Sequence, residues 1–332
     1  MADIVATGTD LSDSCILRGC KLDVEFGDTG NDIELTVDAG SGQRVELGAF
    51  VYVEGTEYGG VVDKSESDPE DGTIKYTGRS WHGILAGKVV MPPSGQSHRT
   101  VSGEANALLL SLISLLGLGD VMTASAEDSG IEVSSFSYDR FCDGYSGARK
   151  MLASAGARLA ISYDSSLRKA VLSAVPVRDW AVGPDANDAL VTSTRVRRCV
   201  NHLVSLGSGE GAARIVRHDY ADGSGAVSQV QTFTGVDEIC EVYDFSSADA
   251  DQLAERAPER LAGLQEIGGF KAQIDGDCDY AVGETVPGVD LDTGSTVMVP
   301  VASKIAVVTD SEIAVEFRAG DVPGAASAAS YS

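Results

Sequence analysis

Short runs of alternating apolar and polar residues, separated by glycines, fill residues 15–76 of the sequence. The alternation is clearest over residues 21–26 and 32–37, and a period of two places the apolar side chains on one face of a strand. The glycines between the runs supply the positive φ angles that tight turns need. A chain of this kind folds as antiparallel strands, and the pattern predicts a small barrel or sandwich over residues 1–93.

The spacing of the apolar residues changes after Pro93. The almost continuously apolar run at residues 105–118 predicts a helix with Ser102 as its N-cap. A second helix is predicted at about residues 146–155, closed by Gly156. The first run is too short for a membrane-spanning helix, which needs about 20 apolar residues. No membrane-spanning segment is therefore predicted.

Two further alternating runs, at residues 158–163 and 169–175, predict a hairpin with its turn at Asp164 and Ser165. Helices followed by a hairpin are typical of a small α+β module. Strand patterns then return, and a charged stretch at about residues 246–267 predicts one more helix. Its N-cap would be Ser246 or Ser247, and Pro258 is expected to kink or divide it.

The predicted fold class is therefore mainly β with an inserted α+β domain. Two small antiparallel β-barrel-like or sandwich-like domains would flank the helix-plus-hairpin module. The predicted boundaries are 1–93, 94–188 and 189–322, followed by a disordered tail at 323–332.

The charge of the chain argues against a sequence-specific nucleic-acid binder. Fifty acidic residues face 25 basic ones, which gives a formal net charge of -25, and such a chain repels phosphate backbones. One local concentration of basic residues exists: Arg195, Arg197, Arg198, Arg214, Arg217 and His218. We interpret it as a set of structural ion pairs with the excess carboxylates, with an anion-binding or subunit-contact role as the alternative.

No enzyme is predicted, and no catalytic residue is assigned. The usual bases are limited to four histidines, His82, His98, His202 and His218, and no G-x-S-x-G nucleophile elbow is present. A cell-wall hydrolase that acts through two carboxylates stays open as an alternative, because such chemistry needs only a pair of acidic residues.

No metal or cofactor site is predicted either. Carboxylates alternate at Asp275, Asp277 and Asp279 and again at Asp290 and Asp292, but the turn glycine and the twelfth-position Glu of a calcium loop are missing. Solvated turns are the simpler interpretation. The Gly-rich run 207–211 lacks the Lys-Ser/Thr of a phosphate loop and leads into a strand, so it predicts a turn.

Six cysteines show no C-x-x-C pair and predict reduced, packed thiols; they are Cys15, Cys20, Cys142, Cys199, Cys240 and Cys278. The N-terminal residues lack the basic region of a secretory signal, so synthesis and folding in a cytoplasm are expected.

The segment at residues 78–95, GRSWHGILAGKVVMPPSG, combines a Trp, a His and two adjacent prolines. Residues 201–214 read NHLVSLGSGEGAAR. Both segments resemble motifs of the tail-tip or baseplate hub proteins of tailed phages and prophages. The resemblance extends to the N-terminal hub part of siphophage tail-associated proteins and to the contractile-tail baseplate hub. The matching positions are Gly78, Arg79, Ser80, Leu85, Val89, Val90, Pro92, Pro93, Asn201, Leu203, Gly207, Gly209, Glu210 and Arg214.

The resemblance implies a structural function. Hubs of this family are homotrimers that adapt the six-fold tail tube to a three-fold tip and leave a channel for DNA and the tape-measure protein. Expected partners are the distal tail protein, the tape-measure protein and tip or fibre proteins, with DNA only in passage. The implied location is the virion tail tip, after assembly in the host cytoplasm. Larger relatives carry C-terminal peptidase, lysozyme or fibre-like extensions, and this sequence departs from them. Cell-wall hydrolysis or receptor binding is therefore expected to reside in another protein. A carbohydrate-binding or receptor-binding tail protein is the alternative.

The resemblance also implies that residues 78–95 form a joint between the first β-domain and the inserted module. Arg79 would hold two acceptors with its planar guanidinium, Trp81 would be buried beneath the connection, and Pro92 and Pro93 would stiffen the exit. On this interpretation Trp81→Ala impairs folding or assembly, whereas His82→Ala is nearly silent.

Overall fold

The computed structural model describes residues 3–28, 30–178, 180, 189–194, 199–264, 269–274, 279–289 and 296–320. Two compact units emerge from the contacts. Unit 1 contains Met1–Leu190 and Ala272–Asp321, and unit 2 contains Val191–Lys271 and Val322–Ser332. These units do not coincide with the boundaries expected after residues 93, 188 and 322, which stay a prediction about the modules of the chain. The expected disordered tail lies outside the described residues.

The described part of the chain is mainly β, as the alternation predicted. The strands are β1 (Ile4–Thr7), β2 (Asp13–Leu17), β3 (Cys20–Gly27), β4 (Asp32–Asp38), β5 (Phe50–Val53), β6 (Gly59–Asp68), β7 (Thr73–Ser80), β8 (Thr100–Glu104), β9 (Met122–Ala124), β10 (Glu132–Ser137), β11 (Ala157–Asp164), β12 (Lys169–Pro176), β13 (Ala189–Thr194), β14 (His202–Leu206), β15 (Val216–Ala221), β16 (Val227–Ser228), β17 (Cys240–Asp244), β18 (Gly269–Ile274), β19 (Thr285–Val289), β20 (Thr296–Val308) and β21 (Ile313–Ala319). The helices are α1 (Trp81–Ala86), α2 (Ala105–Leu115), α3 (Gly144–Ala153) and α4 (Ala250–Gly263).

The largest sheet has 12 strands in the order β19-β13-β18-β21-β20-β3-β4-β7-β6-β5-β1-β2, and β19 also pairs with β20. The antiparallel pairing of β3 with β20 sets Leu22 opposite Val308 and Gly27 opposite Ser303. Strands from the beginning and the end of the chain therefore share one sheet. This arrangement differs from the predicted pair of separate flanking domains, because a pairing between distant strands leaves no trace in the local period.

The apolar faces of the first strands form a core, as their alternation predicted. Leu22 lies opposite Leu35 and Val24 opposite Ile33 in the β3–β4 pair, and all four side chains are buried. Burial of each such aliphatic side chain stabilises the fold by about 1.5–3 kcal/mol. The same core takes in Ala306 and Val308 of β20.

A second core in unit 1 is shared between the first strands and the α+β module. It contains Trp81 of α1 together with Leu109 of α2, Leu152 of α3 and Leu172 of β12. The β11–β12 hairpin predicted from the sequence is confirmed, with Ala157 opposite Pro176 and Asp164 opposite Lys169.

The N-caps of two helices differ from the predicted ones. Ser102 lies within β8, and the side chain of Glu104 instead accepts hydrogen bonds from the backbone N–H groups at the start of α2. Asp249, not Ser246 or Ser247, caps α4, in a capping box with Gln252. In both cases the acidic side chain one position before the helix reaches the free N–H groups.

Unit 2 contains a four-stranded sheet in the order β16-β15-β14-β17, and α4 packs on one face of it. Leu203 and Ala221 of the sheet meet Ala257 and Leu261 of the helix in a small core. The helix is not divided at Pro258, so that half of the expectation is wrong, and a kink at Pro258 stays a prediction.

Candidate functional site

The predicted joint at residues 78–95 begins at the end of β7 and enters a short helix that the sequence did not predict. The hydroxyl of Ser80 accepts a hydrogen bond from the backbone N–H of Gly83, 3.2 Å away, and so caps α1. This cap turns the chain out of the sheet at once. The ring of Trp81 is thereby directed into the core shared with the α+β module.

Trp81 lies at the centre of an aromatic cluster. Its ring stacks on Tyr163 of β11, with centroids 5.1 Å apart, and meets the edge of Phe50 of β5 at 5.1 Å. Tyr52 packs on Tyr163 at 4.1 Å. Aromatic pairs of this geometry contribute about 0.5–1.5 kcal/mol beyond the area they bury. The cluster therefore fixes the hairpin against the first strands.

Backbone hydrogen bonds reinforce the same contact. The N–H of Gly55 donates to the carbonyl oxygen of Tyr163 at 3.0 Å, and the N–H of Tyr163 donates to the carbonyl oxygen of Thr56 at 3.0 Å. The turn between β5 and β6 is thus bonded to β11. Together with the aromatic cluster, these bonds hold β11 against the first strands beside Trp81.

His82 is buried beside Trp81 and acts as a packing residue. Its ring stacks on Phe26 with centroids 4.0 Å apart, and it meets the edge of Tyr145 at 5.3 Å. Burial away from water, assisted by the positive charge of Arg149, lowers the pKa of the imidazole to about 3. The expectation that His82→Ala is nearly silent is at odds with this position, because the truncation would empty a closed aromatic site.

Arg79 and Gly78 serve the strand pair that precedes the joint. Arg79 donates from two nitrogens to the two carboxylate oxygens of Asp63, at 2.7 and 2.8 Å, which is the forked contact expected of it. This ion pair lowers the pKa of Asp63. Asp63 lies at a bulge in β6. A Cβ at Gly78 would stand 1.9 Å from the carbonyl oxygen of Val61, so only glycine allows this approach.

The exit from the joint is fixed against α3. The N–H of Val90 donates to the carbonyl oxygen of Cys142 at 2.8 Å, and the N–H of Gly144 donates to the carbonyl oxygen of Lys88 at 2.8 Å. Pro92 and Pro93 follow, half-buried, in irregular chain before β8. Their stiffening role stays a prediction.

A buried carboxylate ties the module to the last strands of unit 1, and sequence reasoning missed it. Glu284 accepts hydrogen bonds from Nε of Arg158 at 2.9 Å, from Nε1 of Trp180 at 2.8 Å and from the N–H of Ala281 at 3.0 Å. Three donors satisfy a carboxylate that burial would otherwise penalise. The sequence signal was the run AVGETVPG, a turn with one isolated acid.

A cavity of about 360 Å³ lies beside this pair, and Arg149, Lys150 and Arg158 line it. Each cation already has a carboxylate partner: Asp28, Asp139 and Glu284, respectively. The cavity therefore offers no unpaired cation for an anion.

In unit 2, Asn201 holds the turn that leads to β17. Its side-chain N–H donates to the carbonyl oxygen of Asp237 at 2.7 Å, and its side-chain oxygen accepts from the N–H of Ile239 at 3.0 Å. The side chain is almost fully buried. Asn201 thus replaces backbone partners that the turn cannot supply.

The structure brings Gly207, Gly209 and Arg214 together in one turn. Nε of Arg214 donates to the carbonyl oxygen of Gly207 at 3.0 Å, and a second nitrogen donates to Asp244 of β17. Gly209 has φ of +107°, a region that L side chains rarely adopt, and a Cβ there would meet the carbonyl oxygen of Ala213 at 2.7 Å. The turn is a scaffold, as expected for a hairpin rather than a phosphate loop.

The two arginines of the basic concentration that the structure describes are paired with carboxylates. Arg214 pairs with Asp244, and Arg217 donates to both oxygens of the buried Asp219. Arg195, Arg197 and Arg198 lie outside the described residues, as do Cys278 and four of the five alternating carboxylates, Asp275, Asp277, Asp290 and Asp292.

Within the described ranges, no group of three or more His, Cys, Asp or Glu side chains is arranged to hold a metal ion. The cysteines of this part of the chain are free thiols, but Cys15 and Cys240 are exposed, so the expectation of packed thiols is wrong for these two. No helix in the described residues has the length and apolar character to cross a membrane.

No family model and no curated protein matches the sequence. Several solved structures are similar to the chain. One is the tail protein from Neisseria meningitidis MC58, at 11% identity and a TM-score of 0.44 over 97% of each chain. Another is the 43 kDa tail protein of prophage MuSo2 from Shewanella oneidensis, at 12% identity and a TM-score of 0.44 over 97% of this chain and 99% of that one. A third is the phage P2 baseplate in its activated conformation with Ca, at 11% identity and a TM-score of 0.45 over 97% of this chain and 100% of that one.

Proposed function

We propose that the chain is a structural hub of the tail tip of a tailed phage or prophage, and not an enzyme. One observation carries the proposal. The motif residues Gly78 in unit 1, and Asn201, Gly207 and Arg214 in unit 2, hold backbone segments in place, and Arg79 joins β7 to β6 through its ion pair with Asp63. Residues that carry out chemistry would instead point their side chains into an accessible cleft.

The proposed assembly is a homotrimer that adapts the six-fold tail tube to a three-fold tip. The distal tail protein, the tape-measure protein and tip or fibre proteins are the proposed neighbours, and the virion tail tip is the proposed location. A rigid joint suits this function, because a ring under load must transmit force between its modules without bending.

The charge supports passage of DNA without retention. A net charge of -25 per chain gives a channel lined by such chains a negative potential, which repels the phosphate backbone. DNA would then pass through the ring without binding to it.

The proposal assigns no catalytic residue. None of the four histidines donates to or accepts from a Ser or Cys side chain among the hydrogen bonds of the described residues. We assign hydrolysis of the cell wall to other proteins of the tip.

Light scattering coupled to size exclusion tests the proposal. We expect a trimer of the 34.5 kDa chain, with rings visible in negative-stain images, and labelling of tail tips by antibody against the chain. A monomer at every concentration tested, together with unlabelled tails, would refute the proposal. Zymography on host cell walls tests the alternative of a hydrolase. A cleared zone produced by the purified wild-type chain would point to an enzyme.

A further inference from the structure

A polar cluster lies on the face of the unit 2 sheet that α4 does not cover. Leu203 and Ala221 point toward α4, so that their neighbours His202 and Tyr220 point to the opposite face. His202 pairs with Tyr220 and Val204 pairs with His218 in the β14–β15 register. The two histidines are therefore diagonal neighbours on that face.

The side chains of this cluster are in direct contact. Nδ1 of His202 lies 2.6 Å from a carboxylate oxygen of Glu238, and Nε2 of His202 lies 2.8 Å from Nδ1 of His218. The ring of Tyr220 stacks on His202 with centroids 4.4 Å apart. Glu238 and Tyr220 together fix the orientation of the His202 ring.

One tautomer of His202 fits both of its contacts. In that tautomer Nδ1 of His202 donates to the carboxylate oxygen of Glu238. Nε2 of His202 then presents its lone pair toward His218. If His218 moves its own proton from Nδ1 to Nε2, two lone pairs converge on one point without any net loss of protons.

Two converging imidazole lone pairs form half of a transition-metal site. Metal–nitrogen bonds of about 2.0–2.1 Å in tetrahedral geometry separate the two nitrogens by about 3.3 Å, so the 2.8 Å observed here must open slightly. His218 is exposed and can make this movement. Imidazole favours Zn²⁺, Ni²⁺ and Cu²⁺ over Mg²⁺ and Ca²⁺.

We propose that Nε2 of His202 and Nδ1 of His218 bind one Zn²⁺ ion or a similar divalent transition metal. Glu238 acts as the outer partner that orients the ring of His202, which is the usual arrangement around metal-bound histidines. Water completes the coordination. The ion would cross-link β14 to β15, and through Glu238 it would reach the turn before β17.

Calorimetric titration tests this site on the full chain, after treatment with a chelator and dialysis. We expect one Zn²⁺ per chain from ZnCl₂, and no heat of binding from MgCl₂ or CaCl₂. His218→Gln and His202→Gln should each abolish saturable binding. Glu238→Gln should weaken the affinity by about 10- to 100-fold, as loss of such an outer partner does.

Two controls make the outcome specific. His98→Gln, at an exposed histidine of unit 1, should leave the affinity unchanged. Cys240 of β17 is exposed and lies opposite His202 in the parallel β14–β17 pair. Cys240→Ser therefore separates capture of the metal by this thiol from binding by the histidines. Circular dichroism checks that each variant is folded, and His218→Gln, at an exposed position, keeps the test valid if His202→Gln unfolds.

Absence of Zn²⁺ binding to the folded chain would overturn the proposal and leave a hydrogen-bonded trio without metal. Binding that survives His218→Gln, or that disappears only with Cys240→Ser, would overturn it as well. The titration needs only the isolated chain, so its result is independent of the oligomeric state and of assembly into a tail.

Discussion

The two regions that carry the sequence motifs place their histidines in opposite environments. In unit 1, His82 lies between Phe26 and Tyr145, and burial lowers the pKa of its imidazole to about 3. In unit 2, His202 is hydrogen-bonded to a carboxylate on one side and to His218 on the other. The same residue type is a packing ring in one region and a hydrogen-bonded polar group in the other, because different strands bring different neighbours.

The largest effect should come from Trp81, which lies at the centre of the aromatic cluster in unit 1. Trp81→Ala removes a fully buried ring that contacts Phe50 and Tyr163, and we expect the free energy of unfolding to fall by about 3–5 kcal/mol. Urea denaturation measures this change. Met91→Ala, at an exposed position near the end of the joint, is the control and should change stability by less than about 0.5 kcal/mol. A loss for Trp81→Ala no larger than the control would show that the joint is not a shared core.

The comparison of histidines gives the next largest effect. His82→Ala should lower the free energy of unfolding by about 2–3 kcal/mol, because the emptied site is buried and bordered by Phe26 and Tyr145. His218→Ala, at an exposed position, should change stability by less than about 0.5 kcal/mol without added metal. Parallel thermal melts of the two variants make the measurement. Equal losses in both would erase the distinction between the two regions.

Asn201 tests the motif region of unit 2. Asn201→Ala removes an acceptor from the N–H of Ile239 and a donor to the carbonyl oxygen of Asp237, and leaving such buried groups unpaired costs about 1–3 kcal/mol. Urea denaturation followed by the fluorescence of unit 2 tyrosines measures the loss. Asn201→Asp keeps the acceptor and should recover part of the stability. An unchanged free energy of unfolding in Asn201→Ala would show that water replaces both hydrogen bonds.

The smallest effect, counted per pH unit, is a dependence of stability on pH that His82 causes. Its pKa is about 3 in the folded chain, against 6.5 as the ordinary value, so the unfolded state binds one more proton between these pH values. Stability contributed by the neutral ring is present above pH 6.5 and falls by about 1.4 kcal/mol per pH unit toward pH 3. Unfolding of the wild type and of His82→Phe from pH 5 to pH 7 isolates the slope. Identical slopes would contradict the buried neutral imidazole.

The sequence was informative wherever structure follows a local period. The alternation at residues 21–26 and 32–37 predicted which side chains face the core, and the β11–β12 hairpin was predicted with its turn. The caps of α2 and α4 were assigned to hydroxyl residues, whereas Glu104 and Asp249 cap them. Several acceptors compete near each helix start, and propensity alone does not choose between them.

The two histidine environments show where sequence reasoning ends. His82 follows Trp81 in the chain, and nothing next to it in sequence indicates that Phe26 and Tyr145 enclose it. Glu284 was missed for the same reason, because its partners Arg158 and Trp180 lie far from it in sequence. Only non-local packing determines the dielectric surroundings and hydrogen-bond partners of such groups.

By itself, the sequence determined the strand-rich fold class, the helix-plus-hairpin module and the strongly negative charge. It also determined the glycine and arginine positions of the two motifs. These properties depend on side-chain type and on periods of two and 3.6 residues, which are local. Tertiary structure alone decided that β3 pairs with β20, that Trp81 joins one core with the module, and that His202 meets His218 and Glu238. Pairings of this kind join residues that are distant in sequence, and their stability depends on the surfaces that the complete fold brings together.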